Sequence, residues 1–169
     1  MTKDNPVEKT LIADAMRQAL RNQARSVAVV AMRKGEEPVA MTATAVTEVS
    51  LDPPSMLVCL NRSSRMGAMI EEGDAFAVNL LSAGQSEYSQ ACGGGVGAER
   101  FALAGWQSGD GPPTINDACA AMHLRAVRVI DHGSHRIVIG DVEVIDISAD
   151  AEPLIYHAGG YRNLAERNN

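Results

Sequence analysis

The segment from Leu57 to Met66 combines residue types that bind phosphate. An apolar strand, Leu57–Leu60, runs into the polar loop Asn61–Ser64, and a short helix is predicted to begin at Arg65. The first N–H groups of a helix have no partner within it and lie at its positive end, so they attract anions. Serine hydroxyls and guanidinium groups add further donors. From the residues alone, the segment predicts either a phosphate site or an ordinary helix cap among surface arginines.

The upstream segment Met41–Thr47 alternates small residues with threonines. Small side chains let a planar ligand approach the backbone, and threonine hydroxyls and backbone N–H groups can bind the oxygens and nitrogens of a heterocycle. The turn Leu51–Pro54 then allows the next strand to lie beside this one. The alternative interpretation is a threonine-rich strand with ordinary β propensity, and the segment by itself leaves both open.

Composition restricts the class of protein. The 169 residues, 46% of them hydrophobic, suffice for one domain with a sizeable core. A net charge of −6 and an aromatic content of 4% leave neither a basic field nor stacking platforms for nucleic acid. The polar N-terminus and the lack of a long apolar run exclude a signal peptide and a membrane span, so we expect a cytoplasmic protein.

Several familiar chemical motifs fail on context. Gly93, Gly95 and Ala98 match a dinucleotide fingerprint in spacing, but a helix is predicted before them, where that motif needs a strand. We therefore expect a surface connection here. The histidines and cysteines lack metal-ligand spacing, so no metal is expected. The cysteines are predicted to be reduced, mostly buried small residues. The residues concerned are His123, His132, His135, His157, Cys59, Cys92 and Cys119. Any chemistry is then left to a bound cofactor.

The pattern of elements predicts a small β-barrel with helical decoration. A helix is expected from the capping residues Asn5, Pro6 and Glu8, with an apolar stripe of Leu11, Ile12, Met16 and Leu20. Further helices are expected over Arg65–Glu72, ended by Gly73, and from a capping box at Ser82–Gln85 towards Cys92. The predicted strands are Ser26–Met32, Val39–Val46, Met56–Leu60, Ala75–Leu81, Cys119–Asp131 and His135–Ser148. The last two form a predicted hairpin in which the alternation breaks at Ala126–Val127, which indicates either a bulge or a strand buried on both faces. The tail from Leu164 to Asn169 is expected to fray.

In combination, these segments resemble the flavin reductase-like domain family, which includes the reductase components of two-component flavin-dependent monooxygenases. The resemblance spans roughly 20–164 and is most specific over 41–64. It rests on Met41–Pro54, Val58–Ser64, Phe76–Leu81, Arg100–Phe101, Gly133–His135, Pro153–Tyr156 and Gly160–Tyr161. Ala45 and Ser134 depart from the usual Ser and Asp of the family.

The resemblance implies a mainly β fold, namely a six-stranded antiparallel split β-barrel of Greek-key, FMN-binding type with a few short helices. Residues 1–25 would form a helical arm and 26–169 the flavin reductase-like domain. It also implies a homodimer with flavin near the subunit interface and NADH or NADPH as co-substrate. The residues that would line the isoalloxazine are Thr42, Ala43, Thr44 and Ala45, and those that would hold the phosphate are Asn61, Ser63, Ser64 and Arg65. Arg100 and Phe101 would close over the cofactor. His135 would bind nicotinamide, and Tyr161 would lie near the same pocket.

The expected activity is that of an NAD(P)H:flavin oxidoreductase, which transfers hydride to FMN or FAD and supplies reduced flavin to a partner monooxygenase. Two other functions compete with it. One is a flavin-binding electron carrier or sensor without reductase turnover, and the other is a ligand-binding barrel without flavin.

Overall fold

The computed structural model describes residues 6–94, 97–107 and 109–164. The predicted capping residue Asn5 and most of the tail predicted to fray, 165–169, lie outside the described residues, as does part of the glycine connection. Within the described residues, no helix is both long and apolar enough to cross a membrane.

Over the described ranges, three α-helices and one 3-10 helix lie around the sheets. They are α1 (Pro6–Arg21), α2 (Arg65–Met69), α3 (Ser86–Gly94) and the 3-10 helix Gly97–Phe101. Helix α2 ends three residues earlier than predicted, because the fully buried Ile70 adopts an extended backbone. The capping box at Ser82–Gln85 is also wrong as a helix start. The Gln85 side chain does accept from the Ser82 N–H at 3.0 Å, but α3 begins only at Ser86.

Seven strands form the principal sheet, and every pairing in it is antiparallel. Its hydrogen-bonded order is β3-β2-β6-β9-β10-β5-β4. The strands are β2 (Ala28–Lys34), β3 (Glu37–Ala43), β4 (Val46–Leu51), β5 (Pro54–Asn61), β6 (Ala75–Leu80), β9 (Ala120–His132) and β10 (His135–Ile147). A mainly antiparallel β fold with a few helices is therefore confirmed.

Two smaller sheets complete the chain. One has the order β1-β11-β12 and the other pairs β7 with β8. Their strands are β1 (Arg25–Ser26), β7 (Trp106–Gln107), β8 (Thr114–Ile115), β11 (Ile155–His157) and β12 (Gly160–Arg162). The predicted bulge in the long hairpin is confirmed, since the register shifts by one residue at Val127, between the pairs Arg128–Ile139 and Ala126–Gly140.

The strand predicted over Val39–Val46 is divided in two at Thr44–Ala45. Strands β3 and β4 lie at opposite edges of the principal sheet, yet only these two residues connect them. Three Cα–Cα steps reach at most about 11 Å. The sheet must therefore roll up until its two edges meet at Thr44–Ala45.

Burial on both faces of β2 explains why this strand is continuously apolar. Ala28, Val30 and Met32 pack inside the rolled sheet with Phe76 and Leu124. The alternate residues of the same strand face a second apolar cluster, formed with α3 and the segment after it; its buried members are Val27, Val29, Ala31, Ala40, Leu81, Tyr88, Cys92, Ile115 and Leu154. The strand thus separates two cores.

Asn79 is a fully buried polar side chain that fastens the second core to the sheet. Its amide nitrogen donates to Val29 O at 3.1 Å, and its oxygen accepts from Ile115 N at 2.9 Å. A buried polar group needs such partners, because without them it carries the full cost of desolvation.

We expect Asn79→Ala to lower the free energy of unfolding by about 2–4 kcal/mol, since it opens a cavity and leaves the Ile115 N–H without an acceptor. Urea denaturation measures this loss. The matched control is Asn163→Ala at an exposed position, which should change stability by less than about 0.5 kcal/mol. Equal effects of the two substitutions would contradict the role of Asn79.

Candidate functional site

A cavity of about 380 Å³ opens where the two edges of the sheet meet. Thr44, Ala45, Val46 and Thr47 form one wall of this cavity, which we call the ring cavity. Alternation along β5 builds another wall, because Val58 and Leu60 turn into the core while Leu57 and Cys59 face the cavity. Gln23, Arg25, Ser26 and Leu80 complete the lining.

The lining of the ring cavity combines apolar residues, among them Leu57 and Leu80, with polar residues, among them Thr44 and Arg25. A flavin ring needs both kinds of surface, since its dimethylbenzene end is apolar and its pyrimidine end carries hydrogen-bonding oxygens and nitrogens. The donor set therefore fits a flavin.

The loop Asn61–Ser64 is held together by its own hydrogen bonds. Asn61 Oδ1 accepts from the N–H of Ser63 at 2.9 Å and from its hydroxyl at 2.8 Å. The Ser64 hydroxyl donates to Asn61 O at 2.6 Å and accepts from Gly67 N at 3.0 Å, which makes it the cap of α2. The helix-cap interpretation is confirmed for Ser64, while Ser63 lies exposed at the loop surface.

Gly67 permits the tight fold of this loop. A Cβ atom at this position would lie 2.1 Å from the carbonyl oxygen of Asn61. No side chain fits at that distance from a backbone atom, so the packing of the first turn of α2 against the loop requires glycine.

Both arginines of the loop already have partners. Arg65 forms an ion pair with Glu37, and this carboxylate raises the pKa of Arg65. Arg62 lies 3.6 Å from a carboxylate oxygen of Asp131. These side chains are about half exposed, and exposed ion pairs contribute little to stability. Either guanidinium group can therefore exchange its carboxylate for a phosphate.

His135 lies directly beside Asn61, because β10 and β5 pair these two residues. Opposite residues on neighbouring strands project on the same face of a sheet. The His135 ring is exposed, and its Nδ1 lies 2.9 Å from the Ser134 hydroxyl. The family's usual Asp is absent at position 134, but the serine supplies a hydrogen-bonding partner for the same ring.

Thr42 and Tyr161 meet on helix α3. The Thr42 hydroxyl donates to Ser89 O at 2.6 Å, and the Tyr161 hydroxyl donates to the Ser89 hydroxyl at 2.9 Å. The ring of Tyr161 packs edge-on against Tyr156, with centroids 5.6 Å apart. The hydroxyls of Thr42 and Tyr161 therefore serve packing between elements.

Arg100 and Phe101 lie on the same side of β3 as α3. Arg100 donates to Ala40 O at 2.8 Å, and the Phe101 ring stacks at 4.7 Å on Trp106, whose indole N–H donates to Arg100 O at 2.9 Å. These two residues do not line the ring cavity.

The structure thus places the predicted site residues in four locations. The ring cavity contains Thr44 and Ala45, the adjoining loop contains Asn61, Ser63, Ser64, Arg65 and, beside them, His135, and the α3 side contains Thr42, Arg100, Phe101 and Tyr161. Ala43 is buried in the core of the rolled sheet. The sequence analysis did not identify Gln23, Arg25, Leu57 and Cys59 as lining residues. For Leu57 and Cys59, strand alternation with Asn61 was the available signal.

The cysteine and histidine side chains were compared with the requirements of metal binding and thiol reactivity. Within the described residues, no group of three His, Cys, Asp or Glu side chains could hold a metal ion. All three cysteines are free thiols. Cys92 is buried as predicted, whereas Cys59 and Cys119 are only half-buried. Burial raises the pKa of Cys92 to about 11 against the opposing effect of Arg100.

Comparison with known proteins decides the family. The model of the flavin reductase like domain matches residues 20–165, which is most of the chain. The chain belongs to this family. The resemblance inferred from the sequence is thereby confirmed, and this flavin reductase-like chain can be compared with characterised relatives.

The relatives of this flavin reductase-like chain match it over most of its length. It is 34% identical to the reductase component of 4-hydroxyphenylacetate 3-monooxygenase from Thermus thermophilus, covering 89% of this chain and 96% of that protein. It is also 34% identical to the FMN reductase (NADH) RutF of an Enterobacter strain, covering 92% and 96%. The structure of the Streptomyces globisporus NADH:FAD oxidoreductase SgcE6 with NAD and FAD fragments superposes with a TM-score of 0.85 at 26% identity, covering both chains fully.

We expect N-ethylmaleimide at pH 8 to modify Cys59 faster than Cys92, because the thiolate reacts and Cys92 is both buried and protonated at this pH. FMN at ten times its Kd should slow the modification of Cys59 about tenfold, since only the free protein reacts. Peptide mass spectrometry measures both rates. Cys119, whose thiol lies 3.5 Å from Ala151 O, is the internal control, and unchanged labelling of Cys59 in the presence of FMN would place the flavin elsewhere.

Proposed function

We propose that this chain is an NAD(P)H:flavin oxidoreductase that delivers reduced FMN or FAD to a separate flavin-dependent oxygenase. The family match over residues 20–165 carries the proposal. The ring cavity and the loop Asn61–Ser64 support it, because β5 joins them on one face. Leu57, Cys59 and Asn61 project in the same direction along this strand.

The site divides into a ring part and a phosphate part. Thr44 and Ala45 line the isoalloxazine, together with Leu57 and Cys59. Asn61, Ser63 and Arg65 hold the ribityl phosphate. The Ser64 hydroxyl is already engaged as the cap of α2. Ser64 therefore contributes by shaping the loop. Thr42, Ala43, Arg100, Phe101 and Tyr161 support the ring cavity from behind, through β3 and α3.

Bound flavin supplies the ring that accepts a hydride from the reduced nicotinamide. Transfer requires two stacked rings held about 3–3.5 Å apart, so the protein's contribution is positioning. The polar lining residues Thr44 and Arg25 orient the pyrimidine end of the flavin and stabilise the negative charge that this end gains on reduction. The apolar lining residue Leu57 excludes water. His135 binds the nicotinamide dinucleotide at the open face beside Asn61.

We also infer the assembly and its surroundings from the family. The apolar stripe of α1 is exposed, with Leu11, Ile12 and Met16 each at least 60% accessible. A patch of this kind marks a contact surface, and a second copy of the chain covers it in the proposed homodimer. Residues 1–25 then form an arm on the domain 26–169, which takes the split-barrel form of the family with the seven strands of its principal sheet rather than six, in the cytoplasm.

The proposal is tested by mixing the purified chain with FMN and NADH without oxygen. Absorbance at the flavin and nicotinamide bands should fall together, one NADH per flavin, over many turnovers with excess flavin. An electron carrier or sensor would bind flavin without this turnover. A barrel that does not use flavin would neither quench flavin fluorescence nor oxidise NADH. Either result contradicts the proposed activity.

We expect Ser63→Ala to weaken FMN binding about tenfold, at or below the low end of the about 1.5–3 kcal/mol that a hydrogen bond to a charged phosphate contributes, because the Ser63 hydroxyl must give up its bond to Asn61 to make it. Riboflavin has no phosphate, so its affinity should change by less than about twofold. Fluorescence titration with the two flavins measures the difference. Ser63 is chosen over Ser64 because it does not cap α2. An equal loss for FMN and riboflavin would show that the loop does not hold the phosphate.

A further inference from the structure

A second cavity, of about 370 Å³, adjoins the ring cavity. The two share Gln23, Arg25 and Thr44 in their linings. The remaining lining comes from the end of α1 and from the turn between β11 and β12, at Arg17, Leu20, Arg21, Tyr156, Ala158 and Gly159. Three guanidinium groups thus surround one cavity in a chain whose net charge is −6. We call it the arginine cavity.

Arg21 is the most available of these charges. Arg17 forms an ion pair with Asp14, and Arg25 donates to the neutral amide of Gln23 at 2.6 Å. Arg21 forms no ion pair or side-chain hydrogen bond with any residue that the structure describes. Guanidinium groups without carboxylate partners at the rim of a cavity are typical of phosphate binding.

The turn between β11 and β12 holds Arg21 in place. The N–H of Ala158 donates to Arg21 O at 3.0 Å. A Cβ at Gly159, whose φ is +86°, would lie 3.1 Å from the Arg21 guanidinium group. Glycine therefore both adopts the left-handed turn and leaves room for the guanidinium group. The exposed ring of Tyr156, 41% accessible, lies in the same lining and offers a stacking surface for a base.

We propose that the arginine cavity binds the adenosine diphosphate part of NAD(P)H, with Arg21 as the phosphate-binding residue. This inference rests on the proposed reductase function. FAD carries the same adenosine phosphate group, so it is the other source of this chemistry. The phosphate of the flavin is assigned to the loop Asn61–Ser64, however, and none of that loop lines the arginine cavity. We therefore assign an adenosine phosphate group that enters the arginine cavity past Thr44 to NAD(P)H.

The test compares Arg21→Gln with the parent chain in three measurements. Calorimetry with ADP-ribose on flavin-free protein should show about tenfold weaker binding. With FMN as acceptor, KM for NADH should rise about tenfold with kcat within about twofold. KM for reduced nicotinamide mononucleotide, which lacks the adenosine phosphate, should change by less than about twofold. Affinities for FMN and FAD should stay within about twofold.

Arg128→Gln is the matched control, because Arg128 is exposed on β9 with a single ion pair at 3.9 Å to Glu72. It should leave all of these values unchanged. Thermal unfolding of the two variants should coincide, since Arg21 contacts the turn through its backbone oxygen.

Three results would overturn the inference. The first is no change in ADP-ribose affinity or in KM for NADH. The second is a loss of FAD affinity with FMN affinity intact, which would assign the cavity to the adenylate of FAD. The third is an equal rise in KM for NADH and for the mononucleotide, which would place Arg21 at the nicotinamide end. A parent chain that binds ADP-ribose in an Arg21-dependent manner but does not reduce flavin would contradict the proposed activity and leave the cavity assignment intact.

Discussion

The two-residue connection Thr44–Ala45 is the constraint on which the architecture depends. It joins the two edge strands of a seven-stranded sheet, and so short a link is possible only if the sheet curves until these two edges come together at this point, which we call the seam. The seam leaves backbone and small side chains accessible where an ordinary sheet would bury them. The ring cavity lies at this seam, so the same link produces both the fold and the site.

The elements around the seam stabilise it from both sides. On one side, α2 and its capping loop pack against β3 and β5, with Gly67 in contact with Asn61. On the other side, Ser89 of α3 accepts from Thr42 and from Tyr161. Several residues that resemble cofactor ligands in sequence therefore act one layer behind the cavity. These polar contacts fix the positions of β3, β12 and α3 beside the seam.

Local patterns predicted the elements well and their spatial relations poorly. The long hairpin and its bulge at Val127 followed from alternation that breaks at one point. The division of the strand at Thr44 did not, because small and hydroxylated residues suit a strand as well as a turn between sheets. Arg21 and Arg25 were also missed as members of a cavity, since they are distant in sequence from Tyr156 and Ala158, and long-range contacts bring them together: β1 pairs with β11, and the Ala158 N–H donates to Arg21 O. Strand order depends on long-range packing that the periodicity of one segment does not encode.

The internal hydrogen bonds of the loop Asn61–Ser64 bear on how long a flavin would stay in the proposed site. Asn61 already accepts both donors of Ser63, and Arg65 already pairs with Glu37. A phosphate bound there would exchange these bonds for its own, so the net gain per contact would be smaller than from unpaired donors. Weak net contacts of this kind shorten the residence time of a ligand, mostly through a faster dissociation rate. Such a loop suits a protein that treats flavin as a diffusible substrate and releases it after each reduction.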